Sequence, residues 1–312
     1  MPDDAIPSGG TGPALVPTAA TLARPEGARR YLVATPAGTS PAGRPLVLVL
    51  HGAGASAQQV LGQAYPPSPL SVFLEIAARD SLVVIAPDAG KGGWSDCFAS
   101  SARVARKDDV GFIAALIDHA IAHHDVDPGR VYLIGVSRGG WMAYRAAVEI
   151  PQRLAAFSVV LAGMPLPGRS PAPSMPLPAL VFGCTADPLI PYHGGKHWYA
   201  PWFIEPVRGI EDSVHAWREL AGLPDTPEVT QLQASDPRGR TSVTRFMWGS
   251  SSDGMQVGLV RIDGAGHAEP SRLKRYPRFI NWLTGLQNAD LEVAEAAWAF
   301  FRDKRAGAQL TA

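Results

Sequence analysis

Val131-Tyr-Leu-Ile-Gly135-Val-Ser137-Arg-Gly139-Gly-Trp141 opens as an apolar, β-branched run and turns at a serine flanked by glycines two residues to either side. A helical run over 141–150 follows and stops at Pro151, which cannot continue a helix. Strand, sharp turn and helix in that order form the setting a Gly-x-Ser-x-Gly pentapeptide needs to act as a nucleophile elbow. The glycines leave room for a strained turn that lifts the serine hydroxyl above a sheet, beside a helix N-terminus. The competing reading is an ordinary glycine-rich turn. The pentapeptide alone does little to separate the two, and its flanks favour the elbow.

Outward from this point the same rhythm repeats. Short apolar runs read as strands over 31–34, 46–50, 82–86, 131–135, 156–162, 179–183 and 258–262, most of them bounded by Gly, Pro or Asp. Between them, 108–123 has helical periodicity, with Ile113, Leu116, Ile117, Ala120 and Ile121 on one face. A turn is expected over 125–130. Strands alternating with helices predict an α/β fold with a mostly parallel sheet covered on both faces. Residues 1–27 read as a flexible lead-in and 28–312 as one domain. The six-proline stretch 164–178 reads as an irregular connection, and 193–257 as an insertion before the last strand with elements of its own. An amphipathic helix over 290–305 carries Leu291, Ala294, Trp298 and Phe301; it is expected to dock on the body, with a second subunit as the alternative, so a homo-oligomer stays open.

A serine hydroxyl needs a general base, and the base an orienting acid. On an elbow these follow in the order Ser, Asp or Glu, His, at the ends of later strands. Asp187 stands just past the run 179–183, and His267 just past 258–262. Asp253 and Asp263 are the rival acids. Oxyanion donors are expected from the backbone amide of Arg138 and from the loop His51-Gly-Ala53-Gly54, with Ala53 the donor and His51 structural. Trp94 and Trp141 are candidates for a pocket wall, with plain core as the alternative. Trp198 and Trp202, with Tyr199 and Phe203, are candidates for a substrate mouth, with a small satellite core as the alternative.

Composition narrows the function classes. Hydrophobic residues make up 46% and charged residues 18% of 312, which excludes a disordered chain. Lys plus Arg and Asp plus Glu balance at 28 each, which disfavours nucleic acid as a partner. No apolar stretch reaches the roughly 20 residues a membrane helix needs. Asp3 and Asp4 occupy the place of a basic signal region, so a cytoplasmic location is expected. Gly52-Ala-Gly54 is not a full dinucleotide fingerprint, so no nucleotide cofactor is expected. His119 and His123 lack a third metal ligand. Cys97 and Cys184 read as two thiols, a single bridge between them staying open.

Taken together, His51-Gly52, Asp109-Val110-Gly111-Phe112, Gly135-Val-Ser-Arg-Gly-Gly140, Asp187-Pro188 and Gly264-Ala-Gly-His267 resemble the poly(3-hydroxybutyrate) depolymerase and feruloyl-esterase-like branch of the α/β-hydrolases. The resemblance implies the α/β-hydrolase fold and a cofactor-free serine esterase with Ser137, Asp187 and His267 as nucleophile, acid and base. Arg138 and Trp141 stand where many relatives are more neutral or smaller, and the aromatic stretch 196–203 is particular to this chain. The expected substrate is a soluble carboxylic ester or hydroxyalkanoate oligomer. The alternatives are a serine peptidase or acyltransferase on the same triad, or a non-catalytic binding protein on a hydrolase scaffold.

Overall fold

The computed structural model describes residues 14–98, 107–196, 206–234, 239–251 and 254–307. Among them ten strands run in chain order: β1 (Thr18–Leu22), β2 (Arg29–Ala34), β3 (Arg44–Leu50), β4 (Val83–Pro87), β5 (Val126–Val136), β6 (Ala156–Val160), β7 (Ala179–Cys184), β8 (Glu228–Gln231), β9 (Ser242–Gly249) and β10 (Gln256–Asp263). They form one sheet in the order β1-β2-β4-β3-β5-β6-β7-β10-β9-β8. The centre, β4-β3-β5-β6-β7-β10, is parallel throughout, and antiparallel pairs flank it on each side.

The helices are α1 (Ala57–Val60), α2 (Phe73–Asp80), α3 (Asp109–His123), α4 (Arg138–Glu149), α5 (Ile210–Leu220), α6 (Arg278–Thr284) and α7 (Val293–Phe301). They cover both faces because successive side chains of a strand point to opposite sides. In β3, Leu46, Leu48 and Leu50 belong to the core on one face of the sheet, with Phe112, Ile113 and Leu116 of α3 and the apolar side of α4, whereas Val47 and Val49 belong to the core on the other face, with Phe73 and Ile76 of α2 and the buried side of α7. The parallel strands β3, β4, β6 and β7 are buried along their length, as a sheet covered on both faces requires.

Several sequence expectations shift. The sheet starts earlier than Arg29: β1 occupies Thr18–Leu22 inside the expected lead-in, zipped antiparallel onto β2 from Thr18↔Val33 to Leu22↔Arg29. It is an edge strand in which only Ala20 and Leu22 pack, partly buried, against the core, too few residues to mark a strand in the sequence. The expected turn at 125–130 lies mostly within β5. Asp125 alone takes a left-handed turn conformation, at φ 54°, and the strand resumes at Val126 opposite Arg44 before a register shift. Asp127 accepts the Gly129 N–H at 2.8 Å, which lets Pro128 and Gly129 stay within the strand. Residues 193–257 contribute α5, β8 and β9; Val214 and Trp217 of α5 join the main core, while β9 pairs with β10 at the sheet edge.

The amphipathic C-terminal helix docks on the body. Trp298 and Phe301 are buried, the Phe301 ring stacks on Tyr132 at 5.0 Å, and the Trp298 indole donates to Asp80. Cys97 and Cys184 are both free thiols. Among the described residues no helix is long and apolar enough to cross a membrane.

Candidate active site

Ser137 occupies the single residue between β5 and α4, at φ 54° and ψ −118°. An L residue holds a positive φ only when its surroundings over-determine it, and here they do. The Ser137 N–H donates to the Val160 carbonyl at 2.8 Å, and the Ser137 carbonyl accepts from Gly140 at 2.8 Å and Trp141 at 3.2 Å. A Cβ on Gly135 would collide with the Gly139 carbonyl, and one on Gly139 with the carbonyls of Leu50 and His51. The two glycines are there because backbone lies against backbone on both sides of the serine.

β7 and β10 are parallel neighbours, so their C-terminal ends deliver Asp187 and His267 to the same edge of the sheet as Ser137. Their loops are cross-bonded, Gly264 N–H to the Thr185 hydroxyl at 3.0 Å and Ala186 N–H to the Ala265 carbonyl at 3.0 Å. Asp187 Oδ1 accepts the N–H groups of Leu189 (2.7 Å) and Ile190 (2.8 Å), which fixes the carboxylate and turns Oδ2 toward His267. His267 Nδ1 lies 2.6 Å from Asp187 Oδ2, and its Nε2 lies 3.0 Å from Ser137 Oγ. The backbone of His267 is held in turn by its N–H on the Thr284 carbonyl, at the end of α6.

Burial disfavours the protonated form of His267. The negative charge of Asp187, its hydrogen bond and the charge of Glu269 outweigh that, so the imidazole pKa is raised above its ordinary value. With Asp187 accepting from Nδ1–H, the Nε2 lone pair faces the serine hydroxyl, the tautomer that can take its proton.

The sequence expectations sort as follows. Asp263 is engaged by Arg261, at 2.9 Å, and not by His267. Asp253 lies outside the described residues, as do Trp198, Tyr199, Trp202 and Phe203. The His51–Gly54 loop runs beside the serine: a Cβ on Gly52 would stand 3.6 Å from Ser137 Cβ. Arg138 is the first residue of α4, where a helix offers no acceptor for the N–H. His51 is buried and structural; its Nε2 accepts the Ala89 N–H at 3.1 Å.

Trp94 and Trp141, read as pocket wall or plain core, are both buried. Trp94 is fully buried with its indole N–H on the His51 carbonyl at 2.8 Å. Trp141 is buried with its N–H on the Gly163 carbonyl at 3.1 Å and its ring edge-on to Phe98. Each indole needs a buried acceptor, and a backbone carbonyl supplies it. One contact has no local signal in the sequence: Asp96, 42 residues before Arg138, accepts from its Nε at 2.6 Å. Among the described residues no cluster of three His, Cys, Asp or Glu could hold a metal ion. A cavity of about 890 Å³ on the flank of α4, lined by Phe98, Tyr144, Arg145 and Met164 among others, includes none of Ser137, Asp187 and His267.

Comparison with known proteins shows the family of the chain. The model of the alpha/beta hydrolase family matches residues 46–281, well over half of the chain. The chain belongs to the alpha/beta hydrolase family. Among relatives of this alpha/beta hydrolase is the candidate esterase NocK of Nocardia uniformis subsp. tsuyamanensis, 30% identical over 273 residues that cover 83% of this chain and 74% of NocK. Feruloyl esterase B of Piromyces equi is 26% identical over 245 residues, covering 77% of this chain; the hydrolase spans only 43% of that relative's length. Among solved structures, the acetyl xylan esterase from Aspergillus awamori superposes with a TM-score of 0.53 at 13% identity, over 85% of this chain and 98% of that one, a likeness of fold.

Proposed function

We propose that this hydrolase is a serine esterase that forms an acyl-enzyme on Ser137 and acts on a soluble carboxylic ester or a hydroxyalkanoate oligomer. The observation that carries the reading is the seat of His267 between Ser137 Oγ, at 3.0 Å, and Asp187 Oδ2, at 2.6 Å. The esterase names of the relatives favour an ester over other acyl substrates.

In this mechanism His267 Nε2 takes the Ser137 proton as Oγ attacks the ester carbonyl carbon. The carbonyl oxygen becomes an oxyanion, received by the backbone amides of Ala53 and Arg138. Asp187 stabilises the imidazolium, which then protonates the departing alcohol as the C–O bond breaks. Water, deprotonated by the same nitrogen, attacks the acyl-serine and releases the carboxylic acid.

Hydrolysis of p-nitrophenyl acetate, butyrate and octanoate tests the reading. Turnover is expected with at least one chain length, and the profile measures the acyl pocket. Absence of turnover across the series by folded protein would overturn it.

The base works only when unprotonated, and a raised His267 pKa places the acid limb of kcat/KM above the ordinary histidine value of about 6.5. Glu269 contributes to that rise; its carboxylate accepts from Ser68 at 2.8 Å and Tyr276 at 2.9 Å. Glu269→Gln removes the charge, disfavours the imidazolium and is expected to move the acid limb to lower pH. A pH–rate profile of the variant against wild type checks the direction.

A further inference from the structure

The loop between β4 and α3 joins the two segments that carry the proposed oxyanion donors. On one side, the Trp94 indole N–H donates to the His51 carbonyl at 2.8 Å, and its ring packs against the His51 imidazole at 5.0 Å; Gly52 and Ala53 follow directly. On the other, the Arg138 guanidinium donates to the Trp94 carbonyl at 3.0 Å through Nη2 and to Asp96 Oδ2 at 2.6 Å through Nε. Residues 94 and 96 therefore hold His51 and Arg138 at once.

The loop is fixed on its far side as well. The Ser95 N–H donates to Asp109 Oδ2 at 2.6 Å, and Asp109, fully buried, pairs with Arg29 at 2.5 Å. Arg145 donates to the Ser95 carbonyl and hydroxyl, and the second oxygen of Asp96 accepts the Phe98 N–H at 2.9 Å. Asp96 is itself buried at 3% exposure, so its charge is met by Arg138 rather than by water.

We infer that Trp94 and Asp96 are positioning residues of the oxyanion hole, setting the spacing of the Ala53 and Arg138 amides by bracing His51 and Arg138 against one loop. The inference rests on the serine-esterase reading above. Its physical basis is that such donors stabilise an oxyanion only within a few tenths of an ångström of their working position. The Arg138 N–H belongs to the residue whose guanidinium Asp96 and the Trp94 carbonyl hold, so the loop limits where that residue can sit.

Trp94→Phe removes the indole N–H and keeps the apolar ring; Asp96→Asn removes the charge and keeps the shape. In the full-length chain with p-nitrophenyl butyrate, each is expected to lower kcat about tenfold, a fraction of the 10²–10³ lost with a whole donor. KM should stay within about twofold. The inhibition constant of butylboronic acid, whose serine adduct places a charged oxygen in the hole, should rise in step with the loss in kcat, while inhibition by butyrate stays unchanged. A merely structural role would weaken both ligands alike or neither.

Folded variants with wild-type kcat and boronate affinity, or with parallel losses of boronate and butyrate affinity, would overturn the inference. If Trp94→Phe does not fold, Asp96→Asn decides alone. Wild-type protein that neither hydrolyses esters nor labels at Ser137 with a fluorophosphonate would overturn the serine-esterase reading and this inference with it. Active, labelled wild type with unaffected variants would overturn this inference alone.

Discussion

Ser137→Ala is expected to remove ester turnover, with kcat falling by on the order of 10⁶, as loss of a triad nucleophile does elsewhere. Among the described residues the hydroxyl bonds to His267 Nε2 and does not cap α4. The turn is fixed by backbone bonds to Val160, Gly140 and Trp141, which alanine keeps. The far-ultraviolet circular dichroism spectrum and melting temperature should therefore match wild type. Hydrolysis of p-nitrophenyl butyrate by both proteins at equal concentration checks the loss. Retained turnover would place the nucleophile elsewhere.

Asp187→Asn is expected to lower kcat/KM by about 10⁴ with the fold preserved. The Asn carbonyl oxygen can still accept the N–H groups of Leu189 and Ile190, so the loop keeps its anchor. Its NH₂ group then faces His267 Nδ1, which must become an acceptor. The ring is forced into the tautomer with its proton on Nε2, pointing at Ser137 Oγ, and cannot take the serine proton. The variant also loses the charge and hydrogen bond that raise the His267 pKa, so its acid limb should move to lower pH. A fault of tautomer, unlike one of protonation, is not rescued at high pH. Rates measured across pH 5 to about 9, the range that brackets histidine titration, separate the two.

The legible part of the molecule is the part dictated by local chemistry. The elbow could be read because an apolar run, two glycines at fixed spacing and a proline-terminated helix all fall within about twenty residues. Asp187 and His267 could be proposed because each follows a strand whose apolar run marks its end. What escaped reading lacked such marks. β1 is an edge strand with only Ala20 and Leu22 partly buried, and α2 is too short to show more than two turns of periodicity. The start of β5 carries Pro128 and Gly129, residues that signal a turn unless Asp127 is known to cap them.

Trp94 shows the limit most clearly. Its place after a strand left pocket wall and plain core both open; its indole finds an acceptor 43 residues away in sequence, at His51, and the side chain is buried. The Asp96–Arg138 pair is likewise long-range. A tryptophan or aspartate in a glycine-rich loop carries no sign of the partner that topology will bring to it, so the brace between the two oxyanion segments appears only in three dimensions.

The central claim, that Ser137 forms the acyl-enzyme, is tested most directly by mapping the residue that a fluorophosphonate probe modifies. Intact mass followed by peptide mapping should give one adduct on Ser137 in wild type, none in Ser137→Ala, and strongly slowed modification in Asp187→Asn. An adduct on a different residue, or ester turnover by wild type that persists with Ser137 unmodified, would contradict the account.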